Sequence, residues 1–316
     1  MSAATTGRSA ETSGTGRAVD KGIARGEPMK TARTFGVNTW VWTSPLTDRR
    51  LAELAPRVRG WGFDVIELPV ENIGDWDPGR AAKLLDSLGL SATLVVAMGP
   101  GRELVAADGE TIAATQDLLR RVVDAAATVS SPVVAGPLYA SVGRTWRMDD
   151  AERRACYEQL RDGLAPVVEH AREAGVTVAV EPLNRYETSV VNTVDQTLAA
   201  LAGLPAEGCG VALDIYHMNI EEQDIPAAIR RAGERIAHVQ VCANDRGAPG
   251  ADHLDWPGIL TALDAAGYRG PLVIESFTGD NETIATAASI WRPLAPNQDA
   301  IAVDGLSFLA GRPRTP

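Results

Sequence analysis

VTVAVEPLNRYETSVVNTVDQTLAALAGLPAEGCGVALDIYHMNIEE, residues 176–222, contains a whole strand–helix–strand unit. VTVAVEPL (176–183) and CGVALDI (209–215) are apolar runs of strand length, each interrupted by one acidic residue near its end, Glu181 and Asp214. Continuous apolar character suits strands covered on both faces, as in a parallel sheet. Between them a helical pattern near 193–202 opens at Thr193, whose hydroxyl can cap a first turn.

The same alternation extends in both directions. Strand-like runs fall at 34–42, 63–70, 91–98 and 132–139 before this unit, and at 236–242 and 271–277 after it. Helical patterns lie near 47–60, 78–88, 110–129, 150–174, 222–233, 256–266 and 282–291, with an extra helix near 300–311. Asp149, Asp150 and Asp255 are placed to cap helix starts, and Gly89, Gly175 and Gly267 to end helices. Eight strands, each followed by a helix, predict an α/β protein, a single (β/α)8 TIM barrel spanning 34–316. A doubly wound sheet is the competing arrangement. No GxGxxG follows the first strand, which weakens its dinucleotide-binding form.

The chain has 316 residues and a formal net charge of −11. Residues 1–33 are rich in Ser, Thr, Gly, Ala and Arg, carry six basic and three acidic groups, and read as a disordered tail. The remainder therefore carries −14. That disfavours a nucleic-acid partner, and no apolar run is long enough for a membrane-spanning helix. Cys156, Cys209 and Cys242 are widely spaced and form no CxxC pair. They read as reduced thiols in a cytoplasmic protein rather than a zinc cage.

Active sites of such barrels gather at the C-terminal ends of the strands. There the sequence places Glu181, Asp214, Gln240 and Glu275 on four consecutive strands, with Glu67 inside the second. Unpaired carboxylates in apolar strands cost several kcal/mol. Arg185 and Arg246 are candidate salt-bridge partners. A divalent cation held by four oxygen donors is the more economical compensation, and a thiol-free set favours Mg²⁺ or Mn²⁺ and admits Co²⁺. Trp40 and Trp42 suit either a barrel mouth or a core, and Cys242 reads as a packed thiol.

The runs GVNTWVWTSPLTD (36–48), EPLNRYETSVVNTVDQTL (181–198) and LDIYHMNIEE (213–222) resemble the D-tagatose 3-epimerase and D-allulose (psicose) 3-epimerase family of xylose-isomerase-like barrels. The resemblance covers roughly residues 34–311. It implies a metal-dependent ketose 3-epimerase, an isomerase of carbohydrate metabolism, with Mn²⁺ or Co²⁺ on Glu181, Asp214, Gln240 and Glu275. It implies substrate contacts from Glu187, His217 and Arg246, and a homo-oligomer, dimer or tetramer. The departure is Gln240: the family carries a second His there, and this chain reads His238-Val239-Gln240. Hydroxypyruvate isomerases, among related barrels, use Gln at that place. The loop 242–256 also inserts Asp252 and His253, the latter read as a helix cap more readily than as a substrate contact.

The implied chemistry removes the C3 proton next to a ketone through a cis-enediolate stabilised by the cation, with Glu181 and Glu275 serving opposite faces. The same first step would serve a lyase acting on 3-keto-glycosides, like the barrel subunit of C-glycoside deglycosidases, with a small partner subunit. Another sugar isomerase is a further alternative. A multi-zinc nuclease is disfavoured by having only four His residues. A catalytically dead sugar-binding barrel is disfavoured by the intact Glu181 and Glu275.

Overall fold

The structure, a computed structural model, describes residues 33–312. The expected tail of residues 1–33 therefore lies outside the described residues except for Arg33, whose guanidinium meets Asp264 at 2.5 Å. The apolar runs form β1 (Phe35–Asn38), β2 (Val65–Val70), β3 (Ser91–Val96), β4 (Val133–Gly136), β5 (Thr177–Val180), β6 (Cys209–Asp214), β7 (Ile236–Val241) and β8 (Leu272–Ile274). Every neighbouring pair is parallel, and β8 closes on β1, so the sheet is a barrel in sequence order. The expected (β/α)8 architecture is the one observed.

The helices are α1 (Asp48–Trp61), α2 (Pro78–Leu88), α3 (Gly109–Thr128), α4 (Asp150–Glu173), α5 (Val194–Ala200), α6 (Ile215–Glu221), α7 (Ile225–Ala232), α8 (Trp256–Ala265), α9 (Glu282–Ala287) and α10 (Gln298–Leu309). Their starts follow capping chemistry. Asp149 accepts from the amides of Ala151 and Glu152, while Glu152 reaches back to the Asp149 amide. This reciprocal box satisfies otherwise orphaned donors, and the loss of such a cap costs about 1 kcal/mol. At the end of α2, Gly89 takes φ 62°, a left-handed turn that a side chain disfavours.

The main core lies between the strands and the surrounding helices and includes Ile66, Leu94, Val134, Val178, Val211 and Val239 from the sheet. Ala135, Ala179 and Ala212 form a separate small cluster within the barrel. Small residues there leave room for the buried polar side chains above them.

The expected strands run past the observed ends, the third to 98 rather than Val96, the fourth to 139 rather than Gly136, the fifth to 183 rather than Val180 and the eighth to 277 rather than Ile274. At two further ends a capping side chain is the cause. The first strand stops at Asn38, not 42. The Asn38 carboxamide accepts from the Trp40 amide at 2.8 Å and starts a short 3-10 turn, Thr39–Val41. The sixth stops at Asp214, whose carboxylate accepts from the Tyr216 amide at 2.8 Å and opens α6. The apolar composition of 39–42 and Ile215 reads as strand, but a capping side chain offers the backbone another partner. Both turns lie at the C-terminal rim and reorient the residues that follow.

Candidate active site

Barrel closure brings the C-terminal strand ends to one rim. Glu181 follows β5, Asp214 ends β6, Gln240 lies near the end of β7 and Glu275 follows β8. Asp214 and Gln240 are register partners, and the Glu275 amide donates to the Val241 carbonyl at 3.1 Å. All four side chains are buried. Glu187 from the loop after β5, His217 from α6 and Arg246 from the loop after β7 join Glu181 and Glu275 around a cavity of about 490 Å³. Trp40, Leu183 and Phe277 supply apolar walls. A groove of about 550 Å³ beside α2 carries Asp48, Arg80, Arg121 and Asp124, but it has no converging set of buried ionisable groups.

Arg246 organises the charges. Its Nη1 donates to Asp214 Oδ2 at 2.6 Å and to Glu275 Oε2 at 2.9 Å. The guanidinium lies 4.0 Å from the Tyr216 ring centroid and 5.1 Å from that of Phe277. The expected ion pairing of Arg246 is thus present. Arg185 instead pairs with Glu221 at 2.9 Å, on the outside of the loop.

One guanidinium does not balance the acid. Burial pushes the Glu181 carboxyl well above the ordinary carboxylate range, and the Asp214 charge adds to this. Glu275 is raised in the same way, burial first, against the pull of Arg246. Burial acts to raise Asp214 too, but Arg246 and His217 outweigh it and hold that group ionised. The site therefore holds two strongly basic carboxylates beside one that stays charged.

His217 is oriented from behind. Its Nδ1 accepts from the Asn184 amide at 3.0 Å. A backbone N–H cannot turn away, so Nδ1 serves as an acceptor, while Nε2 on the other side of the ring faces a second donor, the Arg246 guanidinium. That nitrogen lies 3.6 Å from Glu181, 3.7 Å from Asp214 and 3.1 Å from Arg246 Nη2. Asn184 also donates to Glu187 at 2.7 Å, fixing the carboxylate beside the cavity. Asn184 had no role in the sequence reading; its signal was its place in EPLNRYE.

Glu181, Asp214 and His217 offer ligand-type atoms within 4.8 Å of one another. His217 Nε2 is also within 3.1 Å of Arg246 Nη2, a donor that engages the same lone pair. Gln240 offers an alternative. Its Oε1 is buried with no hydrogen-bond partner, as an amide oxygen reserved for a cation would be. Oxygen donors of this kind, with the carboxylates of Glu181 and Asp214, suit a hard divalent ion, whereas Glu275 lies outside the 4.8 Å group and is engaged by Arg246 and Gln240.

Trp40 lines the cavity, with its ring centroid 5.4 Å from that of Phe277, whereas Trp42 stacks on Trp61 away from it. His253, expected as a cap, instead faces Asn219 at 3.2 Å, and Asp255 caps α8. Cys242 is fully buried, and burial pushes its thiol far up, so it is no nucleophile. All three cysteines are buried and unpaired. Among the described residues no helix is long and apolar enough to cross a membrane.

Comparison with known proteins gives a consistent result. A family model described as a xylose isomerase-like TIM barrel matches residues 56–310. The chain is 30% identical over 275 residues to a probable ketose 3-epimerase of Synechocystis sp., covering 87% of this chain and 95% of the relative. It is 31% identical over 277 residues to an L-ribulose 3-epimerase of Mesorhizobium japonicum, covering 87% and 92%. A solved L-ribulose 3-epimerase structure superposes with a TM-score of 0.81 at 30% identity, over 88% of this chain and 93% of that one.

Proposed function

The chain belongs to the xylose isomerase-like TIM barrel family, and from that premise we propose that it is a divalent-metal-dependent ketose 3-epimerase acting on free ketoses. The observation that carries this reading is the pair Glu181 and Glu275. They are buried carboxylates on strands three positions apart around the barrel, and they face one cavity. The relatives that match most of the chain are named for this activity.

Inverting C3 requires a proton to leave one face and return to the other. A C–H beside a ketone is far less acidic than a carboxylic acid, so a carboxylate takes that proton only where the developing negative charge is stabilised. A divalent cation held by Glu181, Asp214, Gln240 and Glu275 (Mn²⁺ first, Co²⁺ or Mg²⁺ in its place) would act as a Lewis acid and stabilise the negative charge that develops on the substrate oxygens. One glutamate takes the C3 proton and the other delivers a proton to the opposite face, the roles exchanging with reaction direction. His217 lines the cavity beside Glu181 and, held at Nδ1 by the Asn184 amide, orients the substrate. Glu187, held by Asn184, accepts from a substrate hydroxyl. Arg246 adds positive charge and a flat donor surface at the cavity wall.

The apolar walls Trp40, Leu183 and Phe277 suit the carbon face of a small sugar. The buried thiols agree with a reducing, cytoplasmic setting, and we expect a homo-oligomer, to be measured by light scattering. The test of activity is incubation with free ketohexoses and ketopentoses, with Mn²⁺ or with chelator, followed by chromatography of the products. C3 epimers that form only with the ion support the reading. Turnover confined to 3-keto-glycosides would transfer the site to the lyase alternative.

A further inference from the structure

Glu67 lies mid-strand in β2, beneath the rim, and is completely buried. A carboxylate there needs compensation worth several kcal/mol, and three donors contribute to it. Asn38 Nδ2 at 2.8 Å and Gln240 Nε2 at 2.9 Å reach Oε2. Thr93 Oγ1 at 3.0 Å reaches Oε1, and His238 Nε2 lies 2.6 Å from the same oxygen without hydrogen-bond alignment. Register makes Asn38, Glu67 and Thr93 neighbours on β1, β2 and β3. His238 and Gln240, two apart on β7, project to the same face of their strand.

The consequence falls on Gln240. Its amide nitrogen has two hydrogens and meets two acceptors, Glu67 Oε2 at 2.9 Å and Glu275 Oε1 at 2.7 Å. Turning the amide over would lose both bonds and set Oε1 against two carboxylate oxygens. The hydrogen-bond pattern therefore fixes which atom points where. It leaves Oε1 buried and without a donor, a situation that costs about 1–3 kcal/mol unless something positive faces it.

We propose that Glu67 is a positioning residue that clamps the Gln240 amide so that Oε1 is presented to the divalent cation. The inference rests on the metal-site reading above. It gives the amide what a hydrogen-bonded carboxylate gives a metal-binding imidazole, a fixed orientation. An amide has more need of it, since its donor and its acceptor sit on the same carbon and differ by a half-turn.

The test is Mn²⁺ binding to the chelator-stripped full chain, followed by electron paramagnetic resonance as free Mn²⁺ disappears. Wild type is compared with Glu67→Gln, Gln240→Leu and the double variant. Glu67→Gln is expected to weaken Mn²⁺ binding about 10–100-fold, the usual effect of losing an outer-shell partner. Gln240→Leu should weaken it comparably. The double variant should be no weaker than Gln240→Leu alone, because Glu67 works through the amide. A purely electrostatic effect of Glu67 would instead multiply with the loss at 240. Glu67→Asp keeps the charge, shortens the reach, and should weaken binding too; it also decides the matter if Glu67→Gln does not fold. Wild-type affinity in both Glu67 variants, or losses that multiply, would overturn the proposal while the metal site stands. A wild-type chain that binds no Mn²⁺ would overturn the metal site and this proposal with it.

Discussion

Arg246→Gln removes the one guanidinium among the described residues within hydrogen-bond reach of both Asp214 and Glu275, at 2.6 and 2.9 Å, from a position only 4% exposed. With divalent ions chelated, Asp214 then keeps its charge in a buried site or takes up a proton. Protonation sets the limit. From an ordinary value of 3.8, holding a proton on Asp214 at pH 7 costs about 4 kcal/mol, at about 1.36 kcal/mol per pH unit. That lies within the range of about 3–5 kcal/mol seen when one partner of a buried ion pair is removed. At about 2–4 °C per kcal/mol, the variant should melt roughly 10 °C below wild type in chelator at pH 7.

The pH dependence has a definite sign. Arg246 lowers the Asp214 pKa, so the stability it confers is present above the unfolded value and is lost as pH falls through the native one. The gap between the two proteins must therefore narrow toward acid, to under about 2 kcal/mol at pH 5. Adding Mn²⁺ should raise the melting temperature of the variant more than that of wild type, because the same oxygens regain a cation. Differential scanning calorimetry at several pH values reads all three effects. A variant that melts with wild type at pH 7 in chelator, or a gap that widens toward pH 5, would refute this account of the charge balance.

Other substitutions probe separate parts of the site. Glu181→Gln or Glu275→Gln should lower kcat by about 10²–10⁴-fold, measured as epimer formed per unit time, since each removes one proton-transfer group. Gln240→His exchanges an oxygen donor for a nitrogen and should shift preference from Mg²⁺ and Mn²⁺ toward Co²⁺, read by competition titration. Tyr139→Phe deletes the hydroxyl that donates to the Glu181 carbonyl at 3.0 Å. The change should cost about 0.5–1.5 kcal/mol in urea unfolding, with a smaller effect on KM than on stability.

The barrel was legible because eight apolar runs must be buried on both faces, and helices between them are the available cover. The acidic residues at the ends of β5, β6 and β8 stood out because carboxylates in such runs need a reason. Contacts across the barrel were hidden, since register, not spacing, makes them. Glu67 and Gln240 are 173 residues apart in the chain yet share a hydrogen bond. Nothing local tells Arg185 from Arg246, although the first pairs on the outside with Glu221 and the second bridges Asp214 and Glu275. The helix α6 escaped because the helical pattern after the sixth strand was read only from 222, and Asp214, read as a site carboxylate, is also the cap of α6. The two donors that face the His217 ring, the Asn184 amide and the Arg246 guanidinium, are brought there only by the folded chain.

The most direct test of the proposed epimerisation is hydrogen exchange at C3. The Mn²⁺-loaded protein is incubated in D₂O with a panel of free ketohexoses and ketopentoses, and the C3 proton is followed by NMR. Two exchangeable carboxylates on opposite faces predict that the C3–H signal decays as a C3 epimer grows in carrying deuterium at that carbon. An epimer that retains its original C3 hydrogen would contradict the two-carboxylate mechanism. No exchange at C3 in any free ketose would contradict the proposed activity.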